Sequence, residues 1–306
     1  MHRKACTDTL LMVRPAHFGY NPDTAASNAF QHQGSNSPEI TAQKAQEEFD
    51  QCVALLRQNG VNVHVVQDSD QPVKTDAVFP NNWFSTHPSG KIVLYPMLSP
   101  NRRLERTSAV IDKLKSFYTQ PDVIDFFSGR EAQGMYLEGT GSMVLDRSYR
   151  IAYACRSART HPELVKAWGQ LTGYQMVLFD AVDGHNQAIY HTNVMMGVGA
   201  NFAVVCLDSI PNLVQRNQVT ESLVSTQHEI VEITSDQVNA FAGNMLHLKN
   251  TQGESLLAMS QRAYDSLTSA QIQQLETFAR ILSFPLDVIE ECGGGSIRCM
   301  MAEIFL

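Results

Sequence analysis

The sequence predicts an α/β fold in which five modules, each a hairpin, a helix and a further strand, surround a central cavity and are closed by the two chain ends. Three observations support this prediction. The order of elements recurs four times between residues 83 and 289, and polar residues recur at one position of that order. The remaining pieces complete a fifth copy only if the two ends meet. Radial repeats remove open sheet edges in this way.

Four modules follow from apolar runs separated by turn residues. Their hairpins are predicted at 83–86 with 92–95, 142–145 with 150–154, 189–196 with 202–207, and 244–248 with 255–259. Apolar residues at helical spacing predict helices near 110–117, 162–171, 213–223 and 270–281. The closing strands are predicted at 123–126, 174–179, 230–233 and 286–289.

The fifth module joins the two ends of the chain. Residues 296–305 are predicted to pair with 9–13, followed by a helix over 40–58 and a strand over 61–66. An open α/β sheet with antiparallel additions is the alternative. The fifth module is longer than the others, and its additional segment is residues 16–37. This segment is rich in Asn, Gln, Ser and Gly, which suits either a mobile lid or a surface loop.

Composition excludes several classes of protein. The chain has 306 residues, 43% hydrophobic and 18% charged, with a net charge of −8, so it is not a disordered chain and nucleic acid is not an expected partner. No linker divides it, which predicts one domain over 1–306. The longest apolar stretch, 194–207, is too short to cross a membrane, and no secretory signal is recognised, so we expect a cytoplasmic protein. A homodimer stays possible.

The six cysteines show neither a disulfide framework nor a zinc-binding spacing. We therefore expect no metal and no organic cofactor. Each cysteine is either a buried or free thiol or a nucleophile.

Polar residues occupy one position of the repeat, at intervals of 53 to 56 residues: Asn82, Glu138, His191, Asn244 and Cys299. We assign this position to the first strand of each hairpin, where strands converge towards the axis. A thiol, an imidazole, a carboxylate and two amides would then face one cavity. A buried cysteine, a core histidine and a loop carboxylate are the structural alternatives when each residue is taken alone.

The motifs together resemble the guanidino-group-modifying superfamily of arginine deiminases, dimethylarginine dimethylaminohydrolases and amidinotransferases. The similarity lies in GGGSIRCMM at 293–301, Glu-Gly at 138–139, His-Thr-Asn at 191–193, DAVFPNN at 76–82 and Ser-Ala-Arg-Thr at 157–160. The resemblance implies a five-bladed α/β propeller, the pentein fold. RPAHFGY at 14–20, Asn-Ala-Phe at 28–30 and FPNNWF at 79–84 are most similar to an arginine-deiminase-related subgroup that includes citrulline-utilising hydrolases.

The resemblance also implies roles. Cys299 would be the nucleophile and His191 the acid and base, while Glu138 would orient the reacting group. Arg159 and Arg102 would bind the α-carboxylate of an amino-acid substrate, with Arg103 an equal sequence candidate to Arg102, and Asp76 would bind the α-ammonium.

The reacting group itself would be held by Asn82 and Asn193, where the superfamily commonly has carboxylates. Because amides suit a neutral group better than a cation, we expect a ureido substrate. Asn244 is included among the binding residues, with backbone bonding at the axis as its structural alternative.

The sequence thus predicts a cysteine-dependent hydrolase of a C–N bond in a small amino acid. The preferred reaction converts citrulline to ornithine, ammonia and carbon dioxide through a covalent Cys299 intermediate. An arginine deiminase, a dimethylarginine dimethylaminohydrolase and an amidinotransferase are the enzymatic alternatives. A non-catalytic binding ring of the same fold is the fourth.

Overall fold

The computed structural model describes residues 5–306. It contains five three-stranded sheets, and in each the middle strand pairs antiparallel with one neighbour and parallel with the other. The strands are β1 (Thr9–Arg14), β2 (Asn62–Gln67), β3 (Phe84–Thr86), β4 (Lys91–Leu94), β5 (Asp122–Asp125), β6 (Val144–Asp146), β7 (Ile151–Cys155), β8 (Gln175–Phe179), β9 (Met196–Val198), β10 (Phe202–Val205), β11 (Glu229–Glu232), β12 (Leu246–Lys249), β13 (Ser255–Ser260), β14 (Arg280–Phe284) and β15 (Ala302–Glu303).

The helices lie between these strands or just before them. They are α1 (Pro22–Ala25), α2 (Pro38–Gln58), α3 (Ser108–Lys115), α4 (Gly139–Ser142), α5 (Pro162–Thr172), α6 (Thr192–Met195), α7 (Leu213–Ser225), α8 (Ser235–Asn239), α9 (Gln261–Ser266), α10 (Ser269–Glu276), α11 (Asp287–Gly293) and α12 (Ile297–Met300). Short 3₁₀ turns occur at Pro80–Asn82, Asn101–Glu105, Glu131–Gln133 and Leu207–Ser209.

The sheet orders are β3-β4-β5, β6-β7-β8, β9-β10-β11, β12-β13-β14 and β15-β1-β2. Each sheet is one predicted module, because a helix connects its middle strand to its third strand, as a parallel crossover requires. The last sheet joins the two ends, since Leu10 of β1 pairs with Glu303 of β15. First strands of successive modules contact each other, with β15 beside β3 and β9 between β6 and β12.

Three predicted strands are wrong in whole or in part. Of residues 296–305, predicted to pair with 9–13, only Ala302–Glu303 pairs with β1, because α12 occupies Ile297–Met300. Residues 189–196 do not form one strand, because α6 intervenes and β9 begins only at Met196. Residues 286–289 enter α11, whose first backbone N–H groups at Val288 and Ile289 donate to Glu48 of α2. The strand of that module is β14, which overlaps the predicted helix 270–281 at its end.

The recurring polar residues precede the first strands rather than lying on them. Asn82 ends a 3₁₀ turn, Glu138 and His191 stand directly before α4 and α6, Cys299 lies within α12, and Asn244 follows a turn before β12. We call these five segments the axial turns. Backbone that leaves the regular sheet can aim side chains in directions that the alternation of a strand forbids.

Apolar side chains fill the spaces around these modules in four buried clusters. Trp83 and Trp168 are among the largest fully buried side chains. Among residues 5–306, no helix is long and apolar enough to span a membrane.

Candidate active site

The axial turns open into a cavity of about 270 Å³, the Cys299 cavity. Six of the nine predicted site residues line it: Asp76, Asn82, Arg102, Arg159, His191 and Cys299. Glu138, Asn193 and Asn244 do not line it, but each hydrogen-bonds a residue that does. The cavity is therefore assembled from residues of four modules that are distant in sequence.

Cys299 is held by the two amides behind it. Its Sγ accepts N–H groups from Asn244 Nδ2 at 3.3 Å and Asn193 Nδ2 at 3.5 Å. Asn244 also binds backbone, because its Oδ1 accepts the N–H of Arg298 and its Nδ2 donates to the carbonyl of Asn193. Donors aimed at a sulfur stabilise its anionic, nucleophilic form.

The glycines before Cys299 allow a close approach of neighbouring segments. Gly294 has φ +61°, a left-handed conformation that favours glycine. A Cβ there would lie 2.6 Å from Nδ2 of Asn28, and one on Gly293 would lie 2.8 Å from the ring of Phe79. The Gly-Gly-Gly run is therefore required by packing around the thiol.

His191 and Glu138 form a buried pair, with His191 Nε2 2.9 Å from Glu138 Oε2. Burial pushes the pKa of Glu138 upward, but the charge of Arg159 and the hydrogen bond from His191 outweigh it and lower that pKa to about 2. Burial lowers the pKa of His191 to about 4, against the opposing influence of Glu138. At neutral pH the carboxylate can only accept, so Nε2 carries the imidazole proton and Nδ1 is the basic nitrogen.

Gly141 keeps space beside that basic nitrogen. A Cβ at this position would lie 2.7 Å from His191 Nδ1 and 2.5 Å from Asn82 Nδ2. Glycine thus lets an imidazole and an amide of two different axial turns come together.

The two asparagines expected to hold the reacting group differ in their partners. Asn82 Oδ1 accepts a hydrogen bond from Arg102 Nη1 at 2.8 Å, while its Nδ2 donates to Asn81. Asn193 donates to Cys299, and its buried Oδ1 has no hydrogen-bond partner among the described residues. Asn82 lies in the wall of the cavity, whereas Asn193 lies behind the thiol.

The charged residues that line the cavity, Asp76, Arg102 and Arg159, form a second group, which we call its charged end. Arg102 donates to both carboxylate oxygens of Glu105, at 2.8 and 2.9 Å. Arg103 instead donates to the carbonyls of Met97 and Leu98, so Arg102 is the arginine of the cavity.

Arg159 lies 3.4 Å from Glu138 and 4.9 Å above the ring of Tyr190. Asp76 accepts from Asn21 at 2.7 Å through Oδ2, while its buried Oδ1 has no hydrogen-bond partner among the described residues. Burial raises the pKa of Asp76, and the positive charge of Arg102 opposes this.

Residues 16–37, the lid segment, cover this end of the cavity. Thr24 and Asn28 line it, and Ser27 Oγ accepts from Arg159 Nη2 at 2.8 Å. Asn28 binds the carbonyl of Gly293. The segment is therefore attached to the charged residues through polar side chains.

Sequence reasoning missed Glu105, Asn21 and Tyr190. Tyr190 stacks beside His191, with ring centroids 4.7 Å apart, and donates to the carbonyl of Gly294. In the sequence, only its position next to His191 could have indicated Tyr190 as a site residue. Glu105 could have been found only as the residue three positions after Arg102, the spacing of a helical ion pair.

Within residues 5–306, no group of three or more His, Cys, Asp or Glu side chains is placed to hold a metal ion.

The site combines a thiol that accepts hydrogen bonds from two amides with a neutral imidazole that a carboxylate orients. This combination is typical of the active site of a cysteine-dependent enzyme. Residues 14–306 match the family model described as N,N dimethylarginine dimethylhydrolase, eukaryotic. The chain belongs to this family, and through it to the guanidino-modifying superfamily. The search of curated proteins finds no sequence match.

Solved structures share the fold. The apo structure of ArgZ, an arginine dihydrolase from the ornithine-ammonia cycle in Cyanobacteria, matches with a TM-score of 0.74 and 15% identity, over 97% of this chain and 40% of that chain. The N-terminal domain of a cysteine-to-serine ArgZ variant, bound to substrate, matches at TM-score 0.73 and 16% identity, over 97% and 99%. A dimethylarginine dimethylaminohydrolase variant in adduct with S-methyl-L-thiocitrulline matches at 0.64 and 12%, over 97% and 99%. This chain thus spans less than half of full-length ArgZ.

Proposed function

We propose that this protein hydrolyses citrulline to ornithine, ammonia and carbon dioxide through a covalent intermediate on Cys299. One observation carries the choice of substrate: among the described residues that line the Cys299 cavity, Asp76 is the only carboxylate. It stands at the charged end, where it suits the α-ammonium of an amino acid. No lining carboxylate remains for a guanidinium beside the thiol.

The second carboxylate near the thiol supports this argument. Glu138 does not line the cavity, and its oxygens already bind the N–H of Leu98, His191 and Arg159. A buried cation needs a contacting counter-charge, whereas a ureido group needs only hydrogen bonds. The wall beside Cys299 offers the Asn82 amide and a neutral imidazole, which suit the neutral group.

In the proposed reaction, the Cys299 thiolate attacks the ureido carbon and forms a C–S bond. The thiolate forms when Cys299 gives its proton to Nδ1 of His191. The bond from the ureido carbon to the side-chain nitrogen then breaks, and His191 delivers that proton from Nδ1 to the leaving nitrogen. Ornithine departs and leaves an S-carbamoyl thioester. His191 then takes a proton from water, whose oxygen displaces the sulfur and gives carbamate, which decomposes to ammonia and carbon dioxide.

The remaining residues position these groups. Glu138 fixes the tautomer of His191, and Asn193 and Asn244 orient the thiol. Arg159 and Arg102 bind the α-carboxylate, Arg102 through the Nη1 N–H that remains after its bonds to Glu105, Asn82 and the carbonyl of Phe79. Arg159 would use the Nη1 N–H that Glu138 leaves to it, while Ser27 of the lid segment keeps its bonds to Nε and Nη2.

Arginine is the second candidate, and the wider charge balance favours it. The buried carboxylates Asp76, Glu105 and Glu138 outnumber the buried guanidinium groups of Arg102 and Arg159. ArgZ is an arginine dihydrolase, and AgrE, which matches at TM-score 0.74 and 15% identity, has been solved with L-arginine. The same thiol could serve either substrate.

A substrate panel tests the proposal. We expect kcat/KM for citrulline to exceed that for arginine and the methylated arginines, with ornithine and ammonia formed in equal amounts. Activity should persist in a chelator and should not depend on an amine acceptor. A parent enzyme that prefers arginine would overturn the neutral-substrate proposal, and a strict need for an amine acceptor would identify a transferase.

Asn82→Asp sharpens this test. A carboxylate in the wall attracts a guanidinium, so the arginine-to-citrulline ratio of kcat/KM should rise by about tenfold or more. Asn193→Asp is the companion variant, placed behind the thiol, and should lower both activities because like charge disfavours the thiolate. An unchanged ratio in both variants would show that the amides do not select the substrate.

We further propose that the five modules close into a single five-bladed propeller over 1–306. The first-strand contacts and the β1–β15 pairing support this. A cytoplasmic location, a homodimer and a small-molecule amino acid as the partner stay predictions from the sequence.

A further inference from the structure

A second, narrow cavity lies beyond the axial turns along the first strands of the modules. We call it the inner-strand cavity, and its walls come from β6, β9 and β12 together with Arg298 and Glu303. It shares no lining residue with the Cys299 cavity. Asn193 connects the two, because it lines the second cavity while its Nδ2 contacts Cys299 Sγ at 3.5 Å.

Two polar atoms of its lining residues are buried without a hydrogen-bond partner among the described residues: Asn193 Oδ1 and His247 Nε2. His247 is 7% exposed and Asn193 is 1% exposed. His247 Nδ1 accepts the N–H of Ala200 at 3.2 Å, so in the neutral ring the proton is on Nε2. Burial lowers the pKa of His247 to about 4, which keeps the ring neutral at pH 7. Two residues that line one cavity therefore hold an unused donor and an unused acceptor.

The charges of the cavity favour an anion. Glu303 is the one lining carboxylate among the described residues, and both of its oxygens are occupied, by Arg147 at 3.2 and 3.3 Å and by Arg298 at 2.9 Å. Two guanidinium groups around one carboxylate leave a net positive charge. Arg298 gives one further N–H to Met301, out of the five that a guanidinium carries.

We propose that the inner-strand cavity binds a small oxyanion that also carries one hydrogen-bond donor, such as bicarbonate or carbamate. The oxyanion oxygens would accept from His247 Nε2 and Arg298, and its O–H or N–H would donate to Asn193 Oδ1. Carbamate as the ligand rests on the proposed function, since carbamate is the product formed at Cys299, whereas bicarbonate is available from solution. Occupancy would act on the thiol through Asn193.

Binding is measured on the substrate-free protein with sodium ¹³C-bicarbonate as the probe, by calorimetry and by NMR. We expect one saturable site, a shift of the His247 Nε2–H resonance, and an affinity about tenfold above that for nitrate, a planar anion without a donor. His247→Leu should weaken binding by about tenfold or more. The matched control is His64→Leu, which also removes a strand histidine packed on a phenylalanine, here Phe117, and should change nothing.

Arg159→Ala identifies the cavity that is occupied. Bicarbonate binding should survive this variant, because Arg159 lines only the Cys299 cavity. Loss of binding in Arg159→Ala, the absence of saturable binding, or an unmoved His247 resonance in the parent protein would each overturn the proposal. The resonance needs no variant, so a His247→Leu protein that fails to fold leaves the test intact.

The source of the ligand is resolved during turnover of ¹³C-ureido citrulline in carbonate-free buffer. A bound ¹³C signal that precedes free bicarbonate identifies carbamate from the reaction, and one that follows it identifies bicarbonate from solution. If the protein does not hydrolyse citrulline, carbamate from the reaction is excluded as the ligand, but bicarbonate from solution is not. Bicarbonate binding to the resting protein would stand, so the two proposals fail separately.

Discussion

The two ends of the Cys299 cavity are built by different means. At the reacting end, Cys299, His191 and Asn82 sit on axial turns whose spacing is set by backbone and glycine contacts. At the charged end, Arg159 and Asp76 are held largely by side chains of the lid segment, Ser27 and Asn21. The reaction at Cys299 and the binding of the amino-acid group therefore depend on different residues. Changes at the first end should act on kcat, and changes at the second on KM.

Cys299→Ser should have the largest effect, because a serine hydroxyl with the same neighbours is hardly ionised. We expect a folded protein whose turnover is lower by about 10³-fold or more. The control is Cys292→Ser, a buried thiol of α11 outside the cavity lining, which should retain activity. Mass spectrometry of trapped enzyme should find the adduct on Cys299; an adduct on Cys292 would reject the assignment.

Glu138→Gln should lower kcat by about 10²- to 10⁴-fold with little change in KM, since an amide can hold the wrong imidazole tautomer. Glu131→Gln is the matched control, because Glu131 also accepts a backbone N–H, that of Met97, and pairs with an arginine, Arg106. The two variants should unfold at similar temperatures. Equal activity in both would show that Glu138 has no part in positioning His191.

Ser27→Ala probes the charged end. Arg159 would lose a partner that it binds through both Nε and Nη2, so the lid segment should close less tightly over the amino-acid group. We expect KM to rise about three- to tenfold with kcat nearly unchanged. Ser225→Ala, on the exposed end of α7, supplies the control. A fall in kcat with constant KM would contradict the separation of the two ends.

A separate effect concerns stability in acid. His191 and His247 have pKa values lowered to about 4, and His87 to about 3, with burial as the main cause. The unfolded chain binds these protons below pH 6.5 and the folded chain does not, so stability is lost as the pH falls from 6.5 towards 4. Each histidine should contribute about 2 kcal/mol to the loss between pH 7 and 5. Urea unfolding at both pH values measures it, and His247→Leu should reduce the slope.

The sheets were predictable because their strands are short apolar runs bounded by turn residues. The positions of the axial residues were predictable as a repeat, but their conformation was not. Gly139 and Gly141 around Thr140 carry no periodicity, and such segments fold as helical turns only when the neighbouring turns pack on them. Arg280–Phe284 was ambiguous for another reason, since a five-residue segment with three apolar residues fits the end of a helix as well as a strand.

The roles of charged residues depended on partners that the sequence could not assign. Arg102 and Arg103 were equivalent in the sequence, and only the position of Glu105 and the carbonyls of Met97 and Leu98 distinguish them. Glu138 was expected to contact the reacting group, and instead it lies behind His191. Packing between segments that are distant in sequence determines which partner each charged side chain contacts. One amino-acid sequence contains little information about those contacts.

The pairing of β1 with β15 has a consequence for how the protein matures. During synthesis β1 is made nearly 300 residues before β15, the strand that completes its sheet. Contacts between residues so far apart are slow to form because a long loop must close first. Cys299 lies three residues before β15, so this sheet and the nucleophile are put in place by the same event. A growing chain that has not reached Cys299 therefore holds its imidazole and carboxylate but cannot yet present the thiol.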